Sequence, residues 1–260
     1  MRTSNITIIK VGGKIVEENE SLEQLLKDFS HIEGFKILVH GGGRSATKMA
    51  ESLGIESKMV NGRRITDREM LKVVTMVYGG LVNKNIVAGL QALGVNALGL
   101  TGADLNLIRS EKRSVGDIDY GFVGDVKEVN TQCLASLISQ GIIPILAPLT
   151  HDNKGNILNT NADTIAGETA KALAKEFDVR LVYCFEKKGV LMCENDDDSI
   201  IPRLNKAQFE QYVQQGVIQG GMIPKLENAF ASLDAGVKEV IITNASEINY
   251  HLAGTHIYSV

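Results

Sequence analysis

Apolar positions along the chain follow two rhythms. Asn5 to Val11 is a β-rich, mostly apolar run and reads as a buried strand. Leu22, Leu25, Leu26 and Phe29 then recur at i, i+3, i+4 and i+7, one face of an amphipathic helix. Lys36 to His40 is strand-like again and runs into Gly41-Gly42-Gly43, followed by a helical segment from Ser45 to Leu53. This β-α-β-α opening predicts an α/β fold, a three-layer αβα sandwich around a mainly parallel central sheet.

The pattern continues in the same style. Asn61-Gly62 between Met59 and Thr66 predicts a hairpin carrying Arg63 and Arg64. Asp67 to Leu93 is helical, with Gly79-Gly80 expected to break it. Asn96 to Leu100 reads as a strand, Tyr120 to Val126 as a hairpin or two short strands, and Thr131 to Gln140 as a helix. Ile142 to Leu149 is apolar enough to read as a central strand. Asp152-Asn153-Lys154-Gly155 is a turn, and Asn161 is a candidate N-cap for a helix through Lys175. A strand from Arg180 to Phe185, helices over Lys206–Gln215 and Pro224–Ala235, and a strand from Glu239 to Thr243 complete the order. Glu194 to Ser199 reads as a solvated acidic loop rather than a metal site. No repeat or linker interrupts the chain, which predicts one unit over 1–260 with two lobes, about 1–175 and about 176–260.

Composition narrows the class. A chain of 260 residues can bury a large core, and a net charge of −4 offers no basic field for nucleic acid. Cys133, Cys184 and Cys193 show no CxxC spacing, so neither a disulfide nor a zinc framework is expected. No apolar run approaches the ~20 residues of a membrane helix. Met1 to Asn5 passes straight into a strand and leaves no room for a signal peptide's apolar region. The expected location is the cytoplasm.

The chemistry lies at the glycines. A strand, a turn without side chains and a helix N-terminus direct backbone N–H groups and a positive dipole end at one place, as phosphate sites do. A second such turn, Ile8-Ile9-Lys10-Val11-Gly12-Gly13-Lys14, suggests one polyphosphate held between the two. Gly41, Gly43 and Ala46 fit a dinucleotide fingerprint, but the acidic residue wanted about 20 positions on is replaced by the basic stretch 57–64. A Walker P-loop is absent as well.

Phosphoryl transfer needs cations at the transferring and leaving phosphates, and Lys10 and Lys225 are the candidates. Asp163, at a helix start, is expected to accept from both lysines and fix them. Arg64 has the fork to grip a carboxylate. None of the five histidines reads as a general base, His40 being structural. A carboxylate acceptor is ionised at pH 7 and needs none.

Ile9-Lys10-Val11-Gly12-Gly13, Val39-His40-Gly41-Gly42-Gly43, Asn61-Gly62-Arg63-Arg64-Ile65-Thr66, Asn159-Thr160-Asn161-Ala162-Asp163 and Gly220-Gly221-Met222-Ile223-Pro224-Lys225 run in order over nearly the whole chain. Together they resemble the amino acid kinase family, and the hairpin and last segment resemble its acylglutamate branch.

The resemblance implies ATP-dependent phosphorylation, with Mg2+, of the side-chain carboxylate of an N-acylglutamate, the second step of arginine biosynthesis. The default acceptor is N-acetyl-L-glutamate. A longer acyl group such as succinyl would want a second cation, for which Arg63 or Lys58 is at hand. The resemblance assigns Lys10 and Lys225 to the transition state, Asp163 to organising them, and Gly42, Gly43, Arg64 and Asn159 to the acceptor. Gly12, Gly13, Glu186, Gly189, Leu191, Val217 and Gln219 fall to the nucleotide. The metal would be held mainly by the nucleotide phosphates, and no residue is assigned to it. The N-terminal lobe would take the acylglutamate, the C-terminal lobe ATP, and the assembly would be at least a homodimer.

The chain departs from the family pattern at Phe185-Glu186-Lys187-Lys188-Gly189 and at His256. The N-terminal helix of arginine-inhibited members does not precede the first strand, so arginine feedback is not expected. A sister kinase with another acceptor, or a non-catalytic nucleotide or acylglutamate sensor, are the competing readings.

Overall fold

The computed structural model describes residues 4–60, 62–249 and 253–259. The chain opens with β1 (Asn5–Val11), α1 (Gly13–Glu17), α2 (Asn19–Ser30), β2 (Phe35–His40) and α3 (Gly43–Ser52). A small hairpin pairs β3 (Met59–Val60) with β4 (Arg63–Arg64). Gly62 takes φ +72 in its turn, a conformation that favours glycine; Asn61 lies outside the described residues. A long helix follows as α4 (Arg68–Val74), a π-helical stretch Thr75–Val82 and α5 (Asn83–Ala92).

Next come β5 (Ala97–Leu100), β6 (Ile108–Lys112), β7 (Gly124–Val129), α6 (Thr131–Ser139) and β8 (Ile143–Leu146). β9 (Leu149–His151), β10 (Ile157–Asn159) and α7 (Ala162–Leu173) close this half. The remainder is β11 (Asp178–Phe185), β12 (Arg203–Leu204), α8 (Lys206–Gln214), α9 (Met222–Asp234), β13 (Glu239–Asn244) and β14 (Thr255–Ile257).

Eight strands form one sheet in the order β12-β14-β13-β11-β1-β2-β8-β5. Every pairing in it is parallel except β13 with β14. Strand alternation divides the core into two layers. Ile6 and Ile8 of β1 pack with α6, α7, α8 and α9, whereas Ile9 and Val11 pack with α1 to α5. The expected three-layer α/β architecture is thus present, and the ends of β1 and β2 meet in its middle.

Three expectations change in detail. Gly79-Gly80 does not break the helix; the backbone widens to a π-helical stretch that keeps Val77, Tyr78 and Val82 buried. The resulting continuous helix, Arg68–Ala92, has the length and apolar composition of a membrane span, contrary to the sequence expectation. It lies against the sheet, where Met70, Val73, Val74, Ile86 and Leu90 are buried.

The apolar run Ile142 to Leu149 is not one central strand. β8 is next to the sheet edge, and around Pro148 the chain leaves it for a second, four-stranded sheet of order β10-β9-β6-β7. Proline has no N–H to continue a ladder, which suits it to that corner. β6, which the apolar pattern did not reveal, pairs with β7 there.

Candidate active site

Lys10 follows Ile6 and Ile8 on the α7 side of β1, so alternation alone aims it beneath that helix. Its ammonium lies 2.8 Å from Oδ1 of Asp163. Asp163 stands in the first turn of α7, which Asn161 caps by accepting from the N–H groups of Asp163 (2.7 Å) and Thr164 (3.3 Å). A carboxylate in this place also meets the positive end of the helix dipole.

Lys225, in the first turn of α9, places its ammonium 3.7 Å from the centre of the Phe185 ring, and Lys10 lies 5.0 Å from the same ring. Asp163 therefore contacts Lys10 directly, while Lys225 rests on Phe185 and feels Asp163 through space. Burial lowers the pKa of Lys225; Asp163 works against that shift and Lys10 with it.

The two glycine turns nest. The Gly41 N–H donates to the Val11 carbonyl at 2.9 Å, and a Cβ at Gly41 would come within 3.1 Å of the Gly13 nitrogen. A Cβ at Gly42 would lie 2.9 Å from Cδ1 of Tyr78, so the π-helical stretch packs against bare backbone. Glu17 accepts from the Ser45 N–H at 2.6 Å and ties α1 to the start of α3.

His40 is fully buried, with Nδ1 2.7 Å from the Gly41 carbonyl and Nε2 3.1 Å from Nδ2 of Asn83. A carbonyl only accepts, so Nδ1 carries the proton and Nε2 accepts. Burial drives the imidazole pKa down to about 4. Both ring nitrogens are engaged inside the core, in keeping with the structural reading of His40.

Arg64 is buried, and its guanidinium donates to the Gly43 carbonyl (2.7 Å), Thr47 Oγ1 (2.9 Å) and Ser57 Oγ. All three acceptors are neutral, so they orient the fork without cancelling its charge. Asn159 is buried too, and its Nδ2 donates to Thr66 Oγ1 at 2.9 Å. Arg64, Asn159, Gly42, Gly43, Tyr78 and Arg113 line one cavity of about 190 Å³.

The residues expected to serve a nucleotide fall in two groups, Gly12 and Gly13 at the start of α1 and the others on connections of the C-terminal half. Gly12 and Gly13 follow β1, and Gly13 abuts the Gly42 and Gly43 nitrogens. Glu186 follows β11 and is exposed, paired with Arg44 (3.1 Å) and Lys14 (3.5 Å). Gly189 packs against Thr255, and Leu191 bridges to Ile200. Val217 and Gln219 lie between α8 and α9. Gly189, Leu191, Val217 and Gln219 stand outside the cavity that Arg64 lines.

Sequence reasoning did not find Tyr78 or Arg113, nor the part Phe185 plays beneath the lysines. Among the described residues no group of three or more His, Cys, Asp or Glu side chains could hold a metal ion. The acidic loop instead pairs with lysines, Asp197 with Lys187 (2.6 Å) and Asp198 with Lys188 (3.3 Å).

Comparison with known proteins adds to this geometry. Residues 5–244 match the sequence model of the amino acid kinase family. An acetylglutamate kinase of Parabacteroides distasonis is 74% identical over 253 residues, covering 97% of this chain and 99% of that protein. The crystal structure of smu.665 from Streptococcus mutans is similar with a TM-score of 0.80 at 31% identity, covering 97% of this chain and 98% of that one. An N-acetylglutamate synthase from Neisseria gonorrhoeae, complexed with coenzyme A and N-acetyl-glutamate, has a TM-score of 0.83 at 21% identity. It covers 99% of this chain and 60% of that one, a likeness of fold.

Proposed function

The chain belongs to the amino acid kinase family, and from that premise we propose that its site transfers the γ-phosphoryl group of ATP to the side-chain carboxylate of N-acetyl-L-glutamate. It is a phosphotransferase with a carboxyl group as acceptor, working in arginine biosynthesis. The observation that carries the site assignment is Arg64, a buried guanidinium with neutral acceptors only, beside glycine turns that lead to Lys10.

A carboxylate oxygen of the acceptor attacks the γ-phosphorus, and the bond to the bridging β-oxygen breaks. ADP leaves with that electron pair, and the product is an acyl phosphate. No proton moves, because a glutamate side chain is ionised at neutral pH. Charge builds on the equatorial and leaving oxygens, where Lys10 and Lys225 act as fixed cations. Asp163 holds Lys10 in place through its 2.8 Å pair. The N–H groups of Gly13, Gly42 and Gly43 serve the transferring group and the reacting carboxylate. Arg64 takes the α-carboxylate. Asn159, oriented by the bond from Nδ2 to Thr66 Oγ1, offers Oδ1 to the acylamino N–H.

ATP lies over the C-terminal lobe, about 176–260, against Gly12, Gly13, Glu186, Gly189, Leu191, Val217 and Gln219, and the acylglutamate lies in the lobe of about 1–175. Mg2+, when bound, would neutralise phosphate charge and would be held mainly by the nucleotide phosphates. Asp163, the carboxylate at the lysines, is already engaged by Lys10. The protein works in the cytoplasm as a homodimer. Exposed Met76 and Leu81 on the long helix, with Leu98 on edge strand β5, supply an apolar face for a second copy. Light scattering that gives a monomer at micromolar concentration would remove the dimer from this reading.

The test is ATP-dependent acyl phosphate formation, trapped as hydroxamate, with glutamate and N-acetyl-L-glutamate side by side. Turnover of the acetylated compound alone is expected. ATP binding without turnover of either would point to a sensor instead.

A further inference from the structure

Arg113 follows β6, and its N–H donates to the Val123 carbonyl at 2.8 Å. Val123 in turn bridges to Asn159. Val123 thus lies between Asn159 and Arg113, which puts the two about 10 Å apart, two strand spacings. All three line the cavity that Arg64 lines.

The guanidinium of Arg113 is oriented from two sides. Its Nε donates to both carboxylate oxygens of Asp125 (3.1 and 3.2 Å), and Nη2 donates to the same carboxylate. The ring of Tyr120 lies under it, 5.6 Å from the guanidinium carbon. A planar fork fixed along its Nε–Nη2 edge has one end left, Nη1. That atom is buried and has no hydrogen-bond partner. A buried donor without an acceptor is costly to keep, which makes Nη1 a place where an acceptor binds favourably.

The lining of the cavity agrees. Arg63, Arg64 and Arg113 line it and no Asp or Glu does, and Asp125, which meets the Nε–Nη2 edge of Arg113, leaves Nη1 without an acceptor. An N-acetylglutamate brings two carboxylates. One goes to Arg64 and the other is the phosphoryl acceptor, so neither is left for Arg113 Nη1. The two other cations that the sequence offers for an acyl-end anion are less suited. Lys58 is exposed and paired with Glu56 at 3.0 Å, and Arg63 is exposed at the hairpin.

We infer that Arg113 Nη1 forms an anion subsite at the acyl end of the acceptor pocket, so that the enzyme prefers an N-acylglutamate whose acyl group ends in a carboxylate. This rests on the acylglutamate reading of the pocket. Such an acyl group places its terminal carboxylate past Asn159, and the charge-assisted bond to Nη1 replaces an unmade one. Reactions that supply the acceptor must then transfer a dicarboxylic monoacyl group to glutamate.

The experiment compares kcat/KM for N-succinyl-L-glutamate and N-acetyl-L-glutamate on the full chain, by hydroxamate trapping at fixed ATP. A succinyl-to-acetyl ratio of at least ten is expected, arising mainly in KM. Arg113→Gln should lower that ratio at least tenfold and Arg113→Lys less. A ratio is independent of how much of each variant is folded. A ratio at or below one in the unaltered protein, or one that Arg113→Gln leaves unchanged, overturns the inference and leaves the kinase reading standing. Turnover of neither compound overturns the kinase reading, and this inference with it.

Discussion

The Lys225 ammonium sits 3.7 Å from the centre of the Phe185 ring. The Lys10 ammonium lies 5.0 Å from the same ring, so one aromatic side chain, at the end of β11, supports both cations of the site. A ring face attracts a cation and keeps water away from it, and the interaction is worth about 2 kcal/mol where desolvated. Phe185→Leu should therefore lower kcat about tenfold or more while leaving KM for the acceptor nearly unchanged. Steady-state kinetics with both substrates varied would check this; an effect confined to KM would count against it.

In the proposed mechanism Lys225 acts as a cation and must be protonated, and burial lowers its pKa from the ordinary 10.5. Activity should accordingly fall on the alkaline side earlier than an ordinary lysine would dictate. Lys225→Arg stays charged throughout and should hold its residual activity flat over the same range. A kcat profile recorded with both proteins decides it, since an identical alkaline limb in each would exclude Lys225 as its source.

The Lys10–Asp163 pair is nearly buried, with side-chain exposures of 9% and 16%. Removing one partner of such a pair leaves the other charge uncompensated, at a cost of about 3 kcal/mol. Asp163→Asn should lower stability to urea by that order and misplace Lys10. Lys10→Met should reduce kcat about a hundredfold to a thousandfold, the scale of one lost transition-state donor. A Lys10→Met enzyme within threefold of the parent would remove Lys10 from the chemistry.

His40 makes folding sensitive to acid. Its folded pKa of about 4 lies below the ordinary 6.5, so the unfolded chain takes up the proton first as pH falls. Stability is retained above pH 6.5 and declines from there to about pH 4. Each unit is worth about 1.4 kcal/mol, which makes the total about 3 kcal/mol. Urea titrations between pH 7 and pH 4 should show this decline, and His40→Asn should flatten it by that amount.

Gly42→Ala would bring a methyl group within 2.9 Å of the Tyr78 ring. The expected loss is about 1–3 kcal/mol of stability, typical of an overpacked site, with a larger fractional loss of activity because the turn itself must shift. Tyr78→Leu in the same chain should restore part of the melting temperature.

Local pattern carried much of this structure. The alternation of Ile6, Ile8 and Lys10 against Ile9 and Val11 is enough to place Lys10 on one face of β1, and the spacing of Leu22, Leu25, Leu26 and Phe29 is enough to orient α2. Asn161 was legible as a cap and therefore Asp163 as a first-turn acid. Arg64 and Asn159 were singled out from the ordered segments around them, and they line one cavity.

Other features leave no local trace. Gly79-Gly80 reads as a helix break because glycine is a poor helix former, yet packing of Val77, Tyr78 and Val82 holds the helix together through a π-helical stretch. The run around Pro148 reads as one strand because both sheets bury it. Periodicity reports how much of a residue is buried, not which sheet buries it.

The chain's own patterning therefore settled the layers and the parallel sheet and set the glycine turns and Lys10 at strand ends, since those depend on neighbours close in sequence. Only the folded chain decided that Phe185 would underlie Lys10 and Lys225, that Asp163 would bond Lys10, and that Arg113 would line one cavity with Arg64 and Asn159. Those relations join strands and helices distant in sequence. Their energies come from desolvation and directed hydrogen bonds, which exist only once the surrounding elements have excluded water.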